Sequence, residues 1–240
     1  MPEWIPYETS DEPALEVSID VDLDGDATFQ AAHPYVVTIT ASGFPVDADG
    51  QPTDAAAEDL FALEQSAEAA CEANDATPAF TVSGGGKYQL YAYAKSGIEG
   101  ALRDAFAGAS VAVSVTSQRD ETWATYGEYA LRGDDLEDAR DCDLIAQMDE
   151  AGEDLSVDYV VTFAWSVDDT KVKAALEALR GAGYDVPVEI EDDIIQVEVE
   201  MQVTPENLMT QRTAMSKALA AFAPQFEGWE ADGLDDEEPI

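Results

Sequence analysis

Hydrophobic and polar residues alternate with a period of two near the start of the chain. In ALEVSIDVDLDG (residues 14–25), aliphatic side chains alternate with mostly acidic ones, a pattern that predicts a strand with one buried face. PYVVTITAS (34–42) predicts a more fully buried strand. Asp54 then caps a predicted helix. The apolar stripe of this helix comprises Leu60, Leu63, Ala67, Ala70 and Cys71.

The rest of the first half predicts a hairpin, a helix and two further strands. AFTVS (79–83) and KYQLYAYA (87–94) are joined by glycines, which is typical of a β-hairpin. IEGALRDAFAG (98–108) has helical spacing and ends at a glycine. SVAVSVTS (110–117) and TWATYGEYAL (122–131) predict strands.

A similar order of elements begins again near Gly133. Its predicted segments are a helix at DLEDARDCDLIAQMDEAG (135–152), a strand at DYVVTFAWS (158–166), a helix at DDTKVKAALEALRGAG (168–183), a hairpin of DVPVEI (185–190) and IIQVEVEMQV (194–203) about Asp192 and Asp193, a helix from Thr204–Pro205, and a short segment at FEGWE (226–230).

Both halves therefore contain the order strand, helix, strand, strand, helix, strand. This is the split βαβ arrangement, in which helices cover one side of an antiparallel sheet. The predicted fold class is α+β, with two ferredoxin-like sandwiches in tandem and extra strands before and after the unit in the first half. We expect domains at residues 1–132 and 133–232, followed by an acidic tail at 233–240.

The charge of the chain is extreme: 52 acidic and 11 basic residues give a formal net charge of −41. Because 46% of the residues are hydrophobic, the chain can still form a folded core, unlike a typical disordered acidic segment. A charge of this sign opposes direct binding of nucleic acid or anionic membranes. Two interpretations are open: adaptation of a cytoplasmic protein to high salt, or mimicry of nucleic acid toward a basic partner. The even spread of acid favours the first.

The segment after Met1 has no basic and apolar leader pattern, and no stretch approaches the length of a membrane span. We therefore expect a cytoplasmic protein. Cys71 and Cys142 lie in separate predicted helices. Pairing is one possibility, but two buried thiols are the expectation in a reducing compartment.

Several motifs invite a chemical interpretation. Asp20, Asp22 and Asp24 resemble the opening of a calcium loop, but position twelve is Ala31 where a glutamate is needed, so a strand face or strand end is favoured. His33, the one histidine, has no accompanying nucleophile motif and is interpreted as structural.

Tyr88, Tyr91 and Tyr93 could stack on RNA bases, but only Lys87 and Lys95 lie nearby to bind phosphates, so sheet and core tyrosines are favoured. The glycines at 84–86 join two strands, which favours a hairpin turn over a phosphate-binding loop. Acid pairs such as Asp134/Asp135 and Asp192/Asp193 carry no information in so acidic a chain.

Basic and tryptophan residues of the second half are the candidate protein interface. They could bind an acidic partner or anchor an interface, while ion pairing and core packing are the simpler alternatives. The candidates are Trp165, Lys171, Lys173, Arg180, Arg212, Lys217 and Trp229.

The second half resembles the regulator of ribonuclease E activity B (RraB) family. The resemblance lies in GEDLSVDYVVTFAW (152–165), LEALRGAGYDV (176–186) and FEGWE. It implies a ferredoxin-like domain and inhibition of an RNA-degrading enzyme through protein contact, with no catalytic residues to assign.

The first half resembles domain-of-unknown-function family 695, which is often fused ahead of RraB-like domains. The similar residues are Trp4 and Tyr7, PALEVSIDVDL, HPYVVTI, GGGKYQLYAYAKS, and the W-x-x-Y of Trp123 and Tyr126.

From these observations we expect a non-enzymatic binding or regulatory protein with a protein partner and no cofactor or metal. The alternatives are an enzyme or small-ligand binder that uses a cleft between the two domains, and a structural or stress-related protein whose acidity is only salt adaptation.

Overall fold

The computed structural model describes residues 2–10, 13–186 and 194–233. The chain forms two compact units that divide between Ala139 and Arg140. Each unit combines helices with an antiparallel sheet, so the predicted α+β class in two parts is confirmed.

The first unit contains six strands and four helices before the helix that crosses the division. They are β1 (Trp4–Glu8), β2 (Glu16–Asp20), α1 (Ala27–Ala32), β3 (Tyr35–Ser42), α2 (Ala57–Glu72), β4 (Ala76–Gly84), β5 (Lys87–Ala94), α3 (Glu99–Ala105), β6 (Ala112–Arg119) and α4 (Ala124–Gly127).

The strands of the first unit form one sheet in the order β1-β2-β4-β5-β3-β6. The run from β3 to β6 has the predicted split βαβ order, with β3 and β5 in the centre and both helices α2 and α3 as crossovers. Strands β1 and β2 extend the sheet beyond β4. Every pairing is antiparallel, as expected for this arrangement.

Both faces of this sheet are covered. Because side chains alternate along a strand, Leu90 and Ala92 of β5 pack into one core with α2 and α3, while Tyr91 and Tyr93 enter a second core on the other face. The second core is completed by Trp123, near α4, and by Tyr126 within it.

One predicted strand of the first unit is wrong. TWATYGEYAL forms the short helix α4 and turns, because the Asp120 carboxylate accepts hydrogen bonds from the Ala124 and Thr125 N–H groups and begins a helical turn. Its aromatic residues Trp123, Tyr126 and Tyr129 lie three positions apart, a helical spacing, and they pack against the sheet. Asp54 lies within a 3₁₀ turn that precedes α2, so it is not the cap of that helix.

The described residues of the second unit form a three-stranded sheet and its helices. The elements are α5 (Asp134–Ala151), which crosses the division, then β7 (Asp158–Ser166), α6 (Val172–Gly181), β8 (Ile194–Gln202), α7 (Pro205–Leu219) and β9 (Gln225–Gly233). The sheet order is β8-β7-β9, with β7 antiparallel to both neighbours. This order matches three of the four strands of the predicted sandwich. The fourth predicted strand, DVPVEI (185–190), lies mostly outside the described residues, which end at residue 186 and resume at 194.

Two helix starts in the second unit follow the sequence signals. The Thr204 hydroxyl accepts from the Asn207 N–H and Pro205 begins α7, so the predicted start is confirmed. Asp168 caps the 3₁₀ turn that leads into α6. Among the described residues, no helix has the length and apolar character that crossing a membrane requires.

Candidate functional site

A surface groove of about 490 Å³ lies in the second unit, between α5 and β9. Its apolar residues include Leu144 and Met148 of α5 and Trp229 and Ala231 of β9. The other lining residues are Gln147, Ala151, Glu153, Tyr159 and Glu230. The volume lies within the range of sites that bind a ligand or a few side chains of a partner.

Strand pairing places Trp229 on the helix-covered face of the sheet. Trp229 lies directly opposite Phe163 of β7, which is fully buried in the core, and Ala231 lies opposite buried Val161. Paired residues of adjacent strands share a face, so both side chains of β9 point toward the helices. Trp229 is half-buried and its indole Nε1 donates to Asp141 Oδ1 at 2.7 Å.

The same carboxylate forms a buried ion pair. Arg212 Nη1 donates to Asp141 Oδ2, and the two side chains are only 7% and 3% exposed. Arg212 also lies over the ring of Phe226, with 5.7 Å between its guanidinium carbon and the ring centroid. Two charges removed from water require such complementary contacts, since an unpaired charge there would be strongly destabilising. The cluster is joined to the groove through Trp229, which lines the groove and donates to Asp141.

The spacing of residues along α7 explains why an arginine is buried. Leu208, Arg212, Met215 and Leu219 recur at intervals of four, three and four residues and form the buried stripe of the helix. Arg212 occupies a core position, where its charge is balanced by Asp141 from α5. Asp141 of α5 is therefore a buried residue of this core.

The rim of the groove is polar and acidic. Gln147 and Glu153 are exposed at this rim, Glu230 lines the groove from β9, and no lysine or arginine of the described residues is among the lining residues. Tyr159, whose ring is buried, places its hydroxyl 3.4 Å from Glu153 Oε2. An apolar floor with an acidic rim fits an apolar side chain accompanied by positive charge.

Residues 138–231 match the family model described as "Regulator of ribonuclease activity B". The second unit is RraB-like. The matched range contains the groove, the buried ion pair and all of the elements from β7 to α7. The resemblance predicted from the sequence is thus confirmed for this part of the chain, while the resemblance of residues 1–132 to family 695 stays a prediction.

Two other comparisons add no functional argument. A comparison with curated proteins returned no match. Among solved structures, a similar one is described as "Crystal Structure of an Unknown Protein from Galdieria sulphuraria", with 10% sequence identity, coverage of 83% of this chain and 98% of that chain, and a TM-score of 0.22. At that TM-score the similarity supports no conclusion about fold or function.

The predicted interface residues of the RraB-like unit have different environments. Trp229 and Arg212 meet at Asp141, beneath the groove. Because Arg212 is buried and ion-paired, its charge does not face a partner. This agrees with ion pairing, the simpler of the two interpretations of the basic residues. Trp165 is 3% exposed and packs on Phe226, with 4.9 Å between ring centroids, in line with the alternative of core packing.

The other four predicted interface residues are exposed on the helical layer of the RraB-like unit. Lys171 lies in the 3₁₀ turn before α6, Lys173 and Arg180 lie on α6, and Lys217 lies on α7. None of the four lines the groove. Their role in an interface stays a prediction.

Sequence reasoning missed the residues that build the groove. Asp141 is one of many acids in its helix, and Leu144 and Met148 were predicted only as part of the helix at 135–152. The available signal was Arg212 itself, since an arginine in the apolar register of α7 requires a buried acidic partner. The pairing of that arginine with α5 could not be deduced from spacing.

Candidates in the first unit are structural. Tyr88, Tyr91 and Tyr93 are buried, which confirms their interpretation as core residues and leaves them inaccessible to RNA bases. Burial raises the pKa of Tyr91 to about 12, so its hydroxyl stays protonated at neutral pH. The glycines at 84–86 all have positive φ and join β4 to β5, which confirms the hairpin turn.

His33 ends α1, and its ring nitrogen Nδ1 lies 2.9 Å from the Phe29 carbonyl oxygen, so its structural interpretation is confirmed. Asp20 ends β2, as expected for a strand end, and its side chain accepts from the Asp22 N–H. Asp24 lies beyond the following 3₁₀ turn and binds Arg132 through both carboxylate oxygens at 2.9 Å.

The two cysteines do not pair with each other. Cys71 is buried in α2, where burial raises its pKa to about 11, as expected for a structural thiol. The predicted burial of Cys142 is wrong: the residue is exposed on α5. Asp141, one residue earlier, takes the inward position of that helix, so the adjacent cysteine points to solvent.

Proposed function

We propose that this protein binds an endoribonuclease of the ribonuclease E type and regulates its activity through the RraB-like unit. The observation that carries the proposal is the match of residues 138–231 to the family of regulators of ribonuclease activity. The mode of action is protein contact rather than catalysis on RNA. A net charge of −41 supports this mode, because it opposes the approach of an RNA chain to the regulator itself.

The geometry supports a binding role for the groove. An apolar floor that includes Met148 and Trp229 can receive a side chain of the partner, and Asp141, which pairs with Arg212, accepts a hydrogen bond from the Trp229 indole. Rigid aromatic anchors at a concave surface are typical of protein interfaces. The acidic rim matches the basic surface that an RNA-binding enzyme needs for its substrate.

The test is a ribonuclease assay with the full-length protein and a purified, full-length enzyme of the ribonuclease E type. We expect the cleavage rate of a fluorescent RNA to change in a saturable manner with the concentration of the regulator, between 0.1 and 1 M KCl. The regulator alone should neither cleave nor bind the RNA.

Sedimentation of the mixture provides a second, independent measurement. A complex of the two proteins is expected at salt concentrations where the rate changes. An unchanged rate together with separate sedimentation of the two proteins would refute the proposal.

A further inference from the structure

Strand β9 lies at the edge of its sheet. It hydrogen-bonds to β7 on one side, and on its other side it pairs with no strand among residues 2–10, 13–186 and 194–233. The pairing is irregular near Glu227, where one extra residue separates Phe226 from Gly228. From Trp229 to Gly233 the register with β7 is continuous. This regular stretch has the geometry that another strand can extend.

The groove follows the same regular stretch. Trp229, Glu230 and Ala231 line it from the strand, and Leu144 and Met148 line it from α5. In a strand added beside β9, every second side chain would point toward the helices, at the depth of Trp229 and Ala231. The groove provides space for such a side chain. Main-chain hydrogen bonds and a side-chain pocket thus occur together, which is the combination used in strand addition.

The charges around the edge select the kind of strand. Glu230 and Asp232 lie opposite Thr162 and Val160 of β7, on the face of the sheet away from the helices. Across β7, Thr162 also lies opposite Glu198 of β8. With Glu153 at the rim of the groove, carboxylates flank the edge on both faces. Basic side chains on the outward positions of an added strand would be attracted to this surface.

The same charges disfavour a second copy of this chain as the occupant. If two β9 strands paired edge to edge, Glu230 and Asp232 of one copy would face acidic residues of the other. Like charges on opposed strand positions destabilise the pairing. The irregularity at Glu227 also shortens the regular edge of β9 that would be available for pairing with a second β9 strand.

We propose that the β9 edge and its groove bind an extended, basic segment of a protein partner as an additional strand, with an apolar side chain in the groove. The identity of the partner as a ribonuclease rests on the proposed function, whereas the binding mode does not. The segment alternates Arg or Lys on the outer face with apolar residues on the helix-facing side.

The test uses a synthetic, fluorescein-labelled peptide of nine residues that alternates Arg or Lys with Leu or Val. Binding to the full-length protein is measured by fluorescence anisotropy in 1 M KCl, where nonspecific attraction to the acidic surface is screened. Two further peptides carry N-methyl groups, one on the basic positions and the other on the apolar positions. Each keeps the charges and side chains but loses the hydrogen-bond donors along one edge.

If the peptide adds to β9, one methylated peptide binds at least about tenfold more weakly and the other binds within about twofold of the parent. Equal affinities for all three peptides indicate attraction of charge alone and overturn the proposal. Absence of saturable binding of the parent peptide also overturns it.

Matched variants locate the site. Ala151→Phe places a ring at the groove, while Ala146→Phe places one on an exposed position of the same helix outside it. We expect about tenfold weaker binding for the first and an unchanged affinity for the second. Glu230→Lys should weaken binding more than Glu177→Lys. The second variant changes the net charge by the same amount, but at an exposed position on α6 that does not line the groove. Equal effects within either pair would overturn the placement.

These measurements contain no ribonuclease, so their outcome is separate from that of the proposed function. If the protein regulates the enzyme and Ala151→Phe leaves the regulation and peptide affinity unchanged, strand addition is overturned while the proposed function stands. If the peptide binds as expected and no ribonuclease responds, the strand site stands and the proposed function fails.

Discussion

The carboxylates of Asp20 and Asp24 lie close together in the sequence, but their ionisation has opposite effects on the stability of the fold. Burial raises the pKa of Asp20 above its ordinary value, against a smaller opposing effect of its hydrogen bond from Asp22. The Arg132 guanidinium, which donates to both oxygens of Asp24, lowers the pKa of that carboxyl. The ionised form is therefore disfavoured by folding at Asp20 and favoured at Asp24.

Substitution of each residue by asparagine should change the free energy of unfolding in opposite directions at pH 7. Asp20→Asn should raise it, because a carboxyl with a raised folded pKa opposes folding once ionised. Asp24→Asn should lower it by about 0.5 kcal/mol, since the ion pair is partly exposed. Urea titrations in 2 M KCl measure both.

The pH dependence supplies the check on these two variants. The deficit of Asp24→Asn should be full above the unfolded pKa of about 3.9 and disappear as pH falls through the lower folded pKa. The gain of Asp20→Asn should also vanish in acid, where the native carboxyl is protonated in both states. Effects of the same sign at pH 7 would contradict the assignment.

Asp141 and Arg212 form a buried ion pair in the second unit. Arg212→Met should lower the free energy of unfolding by about 3 kcal/mol, because the Asp141 carboxylate is left buried without its cation. Lys217→Met on the exposed side of the same helix is the matched control and should change it by less than about 0.5 kcal/mol.

A double variant separates the loss of the pair from the loss of packing. Asp141→Leu combined with Arg212→Met should be more stable than Arg212→Met alone, because it removes both charges of the buried pair, although the Trp229 indole loses its Asp141 acceptor. If the double variant loses as much free energy of unfolding as Asp141→Leu and Arg212→Met lose together, the two residues act independently. Urea titration with circular dichroism measures all three.

At the scale of elements, a short segment closes the second core of the first unit. The Asp120 carboxylate accepts from the Ala124 and Thr125 N–H groups and from the Tyr93 hydroxyl at 2.9 Å. Burial raises the pKa of Asp120, but these hydrogen bonds outweigh burial and the pKa is lowered. Trp123 then stacks on Tyr93, with ring centroids 3.6 Å apart.

Asp120→Ala should therefore destabilise the first unit by about 2 kcal/mol, because the Ala124 and Thr125 N–H groups at the start of α4 and the Tyr93 hydroxyl lose their acceptor. Glu121→Ala is the matched control, since that exposed side chain forms only a surface pair with Arg119. The expected cost of the control is below about 0.5 kcal/mol. Thermal unfolding at fixed salt compares the two, and equal shifts in Tm would contradict the role given to Asp120.

Elements with a strong local pattern were predicted well. Strand β7 has the predicted bounds, and β3 and β5 begin and end within a residue of the predicted segments. TWATYGEYAL was predicted wrongly because its aromatic and threonine content favours a strand, whereas Trp123, Tyr126 and Tyr129 recur every three residues, a spacing typical of a helical turn. The deciding signal, Asp120, lies two residues before the predicted strand and acts through hydrogen bonds rather than through hydrophobicity.

At the scale of the whole molecule, the charge of −41 acts over distances that depend on salt. The screening length is about 30 Å at 0.01 M salt and about 3 Å at 1 M. Repulsion among the carboxylates therefore destabilises each folded unit most at low ionic strength. Scarce cations such as Arg132 and Arg212 offset it only locally.

The protein should consequently have a higher Tm in 2 M KCl than in 10 mM KCl, and it should lose structure at the lower concentration. Circular dichroism during thermal unfolding measures both. NaCl at equal concentration should act as KCl does, because both salts screen charge equally. Equal thermal stability at 10 mM and 2 M salt would contradict salt adaptation.

The sequence by itself determined the two-part α+β organisation, the split βαβ order and the RraB-like character of the second half. These properties are carried by periodicity, caps and glycine turns, which act within about one element. They also follow from the order of segments, which the family model recognises in residues 138–231.

Only the tertiary structure decided where the second unit could bind a partner. The groove depends on α5 packing beside β9, and the Asp141–Arg212 pair joins residues 71 positions apart. Cys142 was misassigned for the same reason, since the inward face of α5 is selected by its buried partner. Contacts between distant segments are set by packing geometry and burial of charge, and a local pattern contains neither.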